Sequence, residues 1–253
     1  MSLIQIGSLS SAAVTKNDFS LSAGEPDDVF QFQIGSTRNI NLALTDISAS
    51  DNADLRLYRD NGDGIFNAST DPLIQSAGKF LNDDEAINVR ADAGTYFAQV
   101  QRYDAGSQGG VTYDLALSAT APGNINDFSN LLPTEVELGF VSSNATRTGN
   151  VSNSNTADVY HFTLGLFTGA NISLTGISST ADADIRLIQD INQNGIVDAG
   201  EELRRSTNNL GQSEFFQAFG TQGNGEFLLQ VNQYSGTTNY TLNIDVFDSI
   251  GIA

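Results

Sequence analysis

Residues 190–201, in the C-terminal half of the chain, have the residue types and spacing of a calcium-binding loop. They read Asp-Ile-Asn-Gln-Asn-Gly-Ile-Val-Asp-Ala-Gly-Glu, with oxygen-bearing side chains at loop positions 1, 3, 5, 9 and 12 and glycine at position 6. This is the ligand spacing of an EF-hand loop, in which position 7 contributes its carbonyl. Glycine permits the sharp turn that brings the two ends together around a hard cation. The predicted Ca²⁺ ligands are Asp190, Asn192, Asn194, the carbonyl of Ile196, Asp198 and Glu201.

A related stretch in the N-terminal half is a second, less complete candidate. Residues 60–67 read Asp-Asn-Gly-Asp-Gly-Ile-Phe-Asn. When Gly64 is aligned with Gly195, Arg59 falls at the first loop position, where a cation cannot be a ligand, and the stretch is one residue shorter. Asp60 would replace it only if the loop deforms, so we expect the loop at 190–201 to bind more tightly. The candidate ligands are Asp60, Asp63, the carbonyl of Ile65, Asn67 and Asp71.

Both stretches also fit a polar turn without metal, because Asn-Gly and Asp-Gly form turns in any case. Asp182 and Asp184 lie two residues apart on a predicted strand and share a face, and Asp54 is the equivalent of Asp184. These carboxylates could bind a second cation or complete the first site. Arg186 and Arg56, on the same face, offer salt bridges as the alternative.

Other polar and aromatic residues are weaker candidates. Tyr103 and Tyr234 end equivalent strands, where they could stack on a sugar or fill the core. His161 lies between two aromatic residues of a predicted strand, and we expect no catalytic role for it. The acidic residues at 83–85 are expected to form a solvated turn rather than an acid–base pair.

The composition excludes several classes of protein. The 253 residues include 30 acidic and 11 basic side chains, which gives a net charge of -19 and disfavours binding to nucleic acid. With no cysteine and one histidine, the chain offers no disulfide, thiolate-zinc or iron–sulfur chemistry. No apolar run is long enough to cross a bilayer. No nucleophile motif, zinc-protease motif or phosphate-binding loop occurs, so we predict that the protein is not an enzyme.

The chain contains an internal repeat. A shift of 130 residues places 28–32 on 158–162, 41–48 on 171–178 and 53–57 on 183–187 without a gap. Proline, glycine and asparagine interrupt the pattern between the copies. We therefore predict two domains, residues 1–127 and residues 128–253, each of a size that folds independently.

Apolar and polar residues alternate along most of each copy, which is typical of strands with one buried face. About seven short strands per copy, separated by polar turns, predict an all-β protein of two tandem antiparallel, jelly-roll-like β-sandwiches. The clearest strands are 29–34, 40–44, 53–57, 96–100 and 113–117 in the first copy, and 160–164, 172–174, 185–187, 227–231 and 240–244 in the second.

These segments together resemble a known family. Asp-Val-Tyr-His-Phe at 158–162, Ala-Asp-Ala-Asp-Ile-Arg-Leu at 181–187, the loop at 190–201, and the strands at 225–231 and 234–242 are similar to the bacterial pre-peptidase C-terminal domain. In the first copy, residues 28–32, 93–100 and 112–115 match equally well. The resemblance implies a non-catalytic β-sandwich that occurs in secreted proteins beside peptidase or other catalytic domains and often binds calcium.

We therefore expect an extracellular or cell-surface calcium-binding protein that acts as a structural, adhesion or targeting module. Its expected partners are Ca²⁺ ions and a cell-surface polysaccharide or protein, with no nucleic acid and no membrane insertion. Two alternatives remain open: a carbohydrate-binding, lectin-like module, and the accessory domains of a secreted peptidase or other hydrolase.

Overall fold

The computed structural model describes residues 2–104, 109–220 and 225–248. The chain divides into two compact units: the first contains Met1–Pro122 and Ser129–Pro133, and the second contains Gly123–Phe128 and Thr134–Ala253. The boundary predicted after residue 127 falls within the stretch where the chain passes between them. Among the described residues there is no helix, and hence none that could cross a membrane.

The first unit is a sandwich of two sheets. One sheet has the order β1-β3-β8-β5-β6 and the other has the order β2-β9-β4-β7. Neighbouring strands are antiparallel except β1 and β3, which are parallel. The strands are β1 (Ser2–Ser8), β2 (Val14–Ser22), β3 (Asp27–Ile34), β4 (Arg38–Thr45), β5 (Asn52–Arg59), β6 (Leu73–Ala77), β7 (Glu85–Ala91), β8 (Gly94–Asp104) and β9 (Gly110–Thr120).

The second unit has the same strand order. Its sheets run β10-β12-β17-β14-β15 and β11-β18-β13-β16, and β10 pairs with β12 in parallel. The strands are β10 (Val136–Phe140), β11 (Ala145–Val151), β12 (Ala157–Thr163), β13 (Thr168–Thr175), β14 (Asp182–Ile188), β15 (Glu202–Ser206), β16 (Glu214–Phe219), β17 (Glu226–Ser235) and β18 (Thr238–Asp248).

The predicted class, two antiparallel-rich β-sandwich domains, is confirmed. Each of the ten clearest predicted strands coincides with a central strand of a sheet. The prediction of about seven strands per copy was too low, since the described residues of each unit form nine. The additional strands all lie at sheet edges, where several are short or largely exposed, such as β6 and β11. The parallel pairing of β1 with β3 was also missed, because periodicity does not reveal the direction of a partner strand.

Each core lies between the inward faces of the two sheets of its unit. In the first unit Phe32, Leu42 and Leu55 are fully buried there, and in the second unit Phe162 and Leu187 are. The core of the second unit also contains Ile185, Leu229 and Val231. A fully buried side chain of this size stabilises the fold by about 1.5–3 kcal/mol, so these residues are a main source of the stability of each sandwich.

A buried tyrosine–aspartate pair links the two sheets of each unit. The hydroxyl of Tyr113 on β9 donates to Asp28 Oδ2 on β3 at 2.7 Å, and that of Tyr240 on β18 donates to Asp158 on β12. Burial raises the pKa of Asp28, and the hydrogen bond from Tyr113 opposes that shift. In the first unit the pair therefore gives the buried carboxylate of Asp28 its hydrogen-bond donor.

We predict that Tyr113→Phe lowers the free energy of unfolding by about 1–3 kcal/mol, because Asp28 loses its donor inside the sandwich. Urea unfolding of the full chain, followed by circular dichroism, measures the change. Tyr103→Phe is the matched control, since the Tyr103 side chain is 73% exposed. Equal effects of the two substitutions would show that the Tyr113 hydroxyl does not link the sheets.

Candidate functional site

The first loop (residues 60–71) joins β5 to β6, and its own carboxylates fold it. Asp60 Oδ1 accepts hydrogen bonds from the backbone N–H groups of Gly62 at 3.1 Å and Gly64 at 3.0 Å. Both glycines have positive φ, 107° and 73°, which lets the chain turn around that oxygen. Asp63 Oδ1 accepts from the N–H of Ile65 at 2.8 Å. The carboxylates of the loop are thus held on its inner side.

The buried carboxylate of Asp71 closes the first loop. Its two oxygens accept from the N–H of Asn61 at 3.1 Å and the N–H of Asn67 at 2.8 Å, and the residue is only 4% exposed. Carboxylate oxygens of Asp60, Asp63 and Asp71 lie within 4.8 Å of one another. This separation is close to twice the Ca²⁺–oxygen distance of about 2.3–2.6 Å, so the three oxygens can share one ion.

The second loop (residues 190–201) joins β14 to β15 in the same manner. Asp190 accepts from the N–H of Asn194 at 3.2 Å and from the N–H of Gly195 at 2.8 Å. Glu201, 3% exposed, spans the loop by accepting from the N–H of Ile191 at 2.9 Å and of Asp198 at 2.8 Å. Both loops connect strands, as predicted, and their first and last acidic residues have matching roles.

This correspondence corrects the sequence register of the first loop. Tyr58 pairs with Phe97 and Ile188 pairs with Leu228 at equivalent places in the two units, and each loop begins two residues later, at Asp60 and Asp190. Arg59 is therefore not at the first loop position. Its guanidinium lies 5.9 Å from the centre of the Tyr96 ring and donates to the carbonyl of Ala93 at 3.2 Å. The first loop is not contracted overall, because the residue missing before Gly64 is regained before Asp71.

The amide side chains of the second loop already have partners. Nδ2 of Asn192 and Nδ2 of Asn194 donate to Asp198 Oδ2 at 2.8 and 2.9 Å, and Asn194 Oδ1 accepts from the N–H of Ile196. Of the two loops, the first brings three carboxylates within 4.8 Å of one another. The expectation that the first loop is the weaker site therefore loses the register argument on which it depended.

The salt-bridge alternative for the paired aspartates holds in one unit only. Arg56 lies 3.6 Å from Asp54 in the first unit. In the second unit Arg186 donates to Gln230 at 2.7 Å and lies 3.2 Å from Glu202, so Asp184 is not its ion-pair partner.

The structure also places the two tyrosines and the histidine that the sequence analysis considered as binding or catalytic residues. The Tyr103 side chain is 73% exposed, whereas Tyr234 is partly buried, so the two do not form matching platforms for a sugar. His161 Nδ1 lies 2.6 Å from Glu137 Oε2 on the neighbouring edge strand. This contact gives the histidine a structural partner.

The prediction of a solvated turn at 83–85 was wrong for Glu85. This side chain is fully buried, and its Oε1 accepts from the backbone N–H of Lys79. Burial raises its pKa to about 7; the Lys79 N–H and its charge lower it, and the nearby Asp54 and Asp83 raise it. The sequence contained no signal for this position, because the groups around Glu85 come from β5 and from the segment that follows β6.

Comparison with known proteins agrees with part of this picture. Residues 27–102 match the bacterial pre-peptidase C-terminal domain. The matched segment runs from β3 into β8 and contains the whole first loop. The resemblance to this domain is thereby confirmed for that part of the first unit. None of the curated proteins compared with the chain matches it.

Two solved structures are among those similar to the chain. The pre-peptidase C-terminal domain of a collagenase from Bacillus anthracis is 19% identical, with 47% of this chain and 94% of that chain covered and a TM-score of 0.33. PliG from Aeromonas hydrophila, a periplasmic inhibitor of g-type lysozyme, is 20% identical, with 45% and 96% covered and a TM-score of 0.30.

We predict that Glu85→Gln stabilises the protein at pH 8 but not at pH 5. Since the folded-state pKa of about 7 lies above the ordinary value of 4.5, the stability due to Glu85 is complete at low pH and is lost as the pH rises through 7. The predicted gain at pH 8 is up to about 3 kcal/mol. Glutamine keeps the oxygen that accepts from Lys79 and removes the charge. Urea unfolding in chelator at both pH values measures the difference, with exposed Asp46→Asn as control. A gain that is the same at both pH values would contradict the assignment.

Proposed function

We propose that this chain is a non-catalytic module of a secreted or cell-surface protein, built from two β-sandwiches that each hold a Ca²⁺ ion in the loop at the end of β5 or β14. One observation carries the proposal: the two loops use the same arrangement of carboxylates, with the first and the last acidic residue turned onto backbone N–H groups on the inner side of the loop. A polar turn that binds no metal would not require the same arrangement of carboxylates in both units.

The ligand chemistry fits a hard cation. Each loop offers carboxylate and amide oxygens, and Ca²⁺ prefers six to eight such ligands in a flexible geometry. A carboxylate oxygen that accepts one backbone N–H retains a lone pair for a metal, so loop closure and metal binding are compatible. The net charge of -19 adds a general attraction for cations. The proposed ligands are those predicted from the sequence, with Asp60 at the first position of the first loop.

The accessory role rests on the family match and on the likeness between the two units. Residues 27–102 match a domain whose family name places it beside peptidases. The second unit repeats the strand order, the loop position and the tyrosine–aspartate pair of the first. We infer that residues 128–253 form a second domain of the same kind. Both domains would support or target a catalytic partner, or attach to a cell-surface polysaccharide or protein.

We predict that Ca²⁺ raises the melting temperature of the full chain. An ion that binds only the folded state stabilises it by about 2.7 kcal/mol per site at one hundred times the dissociation constant. Thermal melts in chelator and in millimolar CaCl₂ at matched ionic strength measure the effect. The variants Asp60→Asn/Asp63→Asn and Asp190→Asn/Asp198→Asn should each remove part of the increment, because they remove charge while keeping an oxygen at each position. Superimposable melts of the wild type would contradict calcium binding.

We further predict that the first loop binds Ca²⁺ more tightly than the second. Carboxylate oxygens of Asp60, Asp63 and Asp71 already lie within 4.8 Å of one another. In the second loop Asp198 Oδ2 is occupied by two amide donors, so fewer oxygens are available to the ion. Dissociation constants of about 10⁻⁵ to 10⁻³ M are expected for such exposed sites. Calorimetry on the full chain, with one loop disabled at a time by the double variants above, gives each constant separately. Tighter binding by the second loop would favour the order predicted from the sequence alone.

A further inference from the structure

Three acidic side chains meet inside the second unit, away from the second loop. Asp182 and Asp184 lie on β14, and Glu214 is the first residue of β16 in the opposite sheet. Their carboxylate oxygens lie within 4.8 Å of one another, and the residues are 8%, 1% and 0% exposed. Six residues of chain, or about 20 Å of extended strand, separate Asp184 from the start of the second loop at Asp190. The cluster is therefore a different place from the loop.

Most oxygens of the two aspartates lack a hydrogen-bond partner. Among the described residues, both oxygens of Asp184 and Oδ1 of Asp182 are buried and accept no hydrogen bond. Glu214 accepts from the backbone N–H of Asn208 at 2.9 and 3.0 Å, which fixes its carboxylate beside the aspartates. A buried carboxylate without donors costs several kcal/mol, so something must compensate Asp184 in the folded protein.

The nearest positive side chains do not supply that compensation. Arg205 lies 2.5 Å from Glu202, and its guanidinium carbon is 5.1 Å from the centre of the Phe128 ring. Arg186 also pairs with Glu202 and lies over the same ring at 5.6 Å. Burial, followed by the charges of Asp182 and Glu214, raises the pKa of Asp184 to about 8 despite the opposing influence of Arg205. The three carboxyl groups of the cluster thus have no cation in contact with them among the described residues.

In the first unit, the position equivalent to this acidic cluster includes an arginine side chain as its cation. Asn52 stands where the second unit has Asp182, so one carboxylate is absent. Arg56 forms an ion pair with Asp54 at 3.6 Å, and Glu85 takes the place of Glu214. In the second unit the arginine is directed to Glu202 instead, and an additional carboxylate is present. Compared with the first unit, the acidic cluster of the second unit therefore lacks an arginine partner and has one more carboxyl group.

We propose that Asp182, Asp184 and Glu214 together bind one Ca²⁺ ion within the second unit. The donors are all hard oxygens, and their spacing fits Ca²⁺–oxygen distances of about 2.3–2.6 Å. Mg²⁺ fits less well, because it usually retains several water molecules and is seldom enclosed by protein ligands alone. The ion joins β14 of one sheet to β16 of the other. In a chain without cysteine, it provides the cross-link between sheets that a disulfide provides elsewhere.

Counting ions in a full-length chain with both loops disabled tests the proposal. The parent variant carries Asp60→Asn, Asp63→Asn, Asp190→Asn and Asp198→Asn, so the count does not depend on whether the loops bind calcium. After equilibrium dialysis against Ca²⁺, elemental analysis should find one ion per chain. Adding Asp184→Asn should reduce the count to zero, whereas adding Asp54→Asn, the equivalent change in the first unit, should leave it at one.

Two results would overturn the proposal: no ion in the loop-disabled parent, or an ion that persists after Asp184→Asn. If the wild type also binds only one ion and the loop substitutions do not change that number, the loops fail as sites while the buried site stands. Equal retention of Mg²⁺ and Ca²⁺ by the parent would overturn the assignment to calcium.

Thermal melts of the same variants separate metal binding from a purely structural role of Asp184. In chelator, Asp184→Asn should melt at or above the parent temperature, because it removes an uncompensated buried charge. In CaCl₂ it should melt below the parent, which keeps its ion. A variant that melts lower by the same amount in both solutions would contradict the proposal. If Asp184→Asn does not fold, Asp182→Asn replaces it and should weaken Ca²⁺ binding at least tenfold.

Discussion

Packing of two apolar sheet faces against each other is the interaction on which the rest of each unit depends. Along β5, Leu55 and Leu57 point into the core, and the alternating residues Asp54 and Arg56 lie on the opposite face. Because side chains alternate, burial of the leucines determines which polar residues can meet and where the strand ends. The first loop begins at that end. A slip of one residue would exchange the two faces and separate Asp54 and Arg56 from their partners.

Acidic side chains organise the backbone of this protein in addition to offering oxygen ligands. Asp71 and Glu201 close the two loops, and Glu85 and Glu214 hold the segments that lead into β7 and β16. All four are almost completely buried. The negative charge of the chain is therefore partly internal, where water screens it poorly. Bound cations would compensate for this charge as well as filling sites.

The two units keep one architecture and differ in how they compensate buried charge. Asp54 has an arginine partner within the first unit, and its equivalent, Asp184, does not. The difference arises from a few substitutions, among them Asp182 in place of Asn52 and the pairing of Arg186 with Glu202. Phe128 also contributes to this difference, because its ring packs on Arg186 and Arg205. In addition, β14 is buried along its whole length. The same framework thus accommodates different arrangements of buried charge.

The sequence by itself determined the fold class, the central strands and the residues of the candidate loops. Central strands bury one face against the opposite sheet, and this leaves a period of two that is visible in a single chain. Loop ligands follow from residue type and spacing over twelve positions, so they too are local. Strands at the sheet edges bury less and were missed for that reason, and the parallel pairing of β1 depends on a partner about 25 residues away.

Only the tertiary structure decided which distant side chains meet. Alignment on Gly64 placed Arg59 at the start of the first loop, whereas strand pairing places Asp60 there, because the neighbouring strand and not the turn sets the register. Glu214 lies thirty residues after Asp184 in the sequence and on the other sheet, yet their carboxylates are neighbours. No local pattern specifies such a meeting. It follows from the packing of the two sheets of a unit, since that packing brings together residues whose positions along the chain are unrelated.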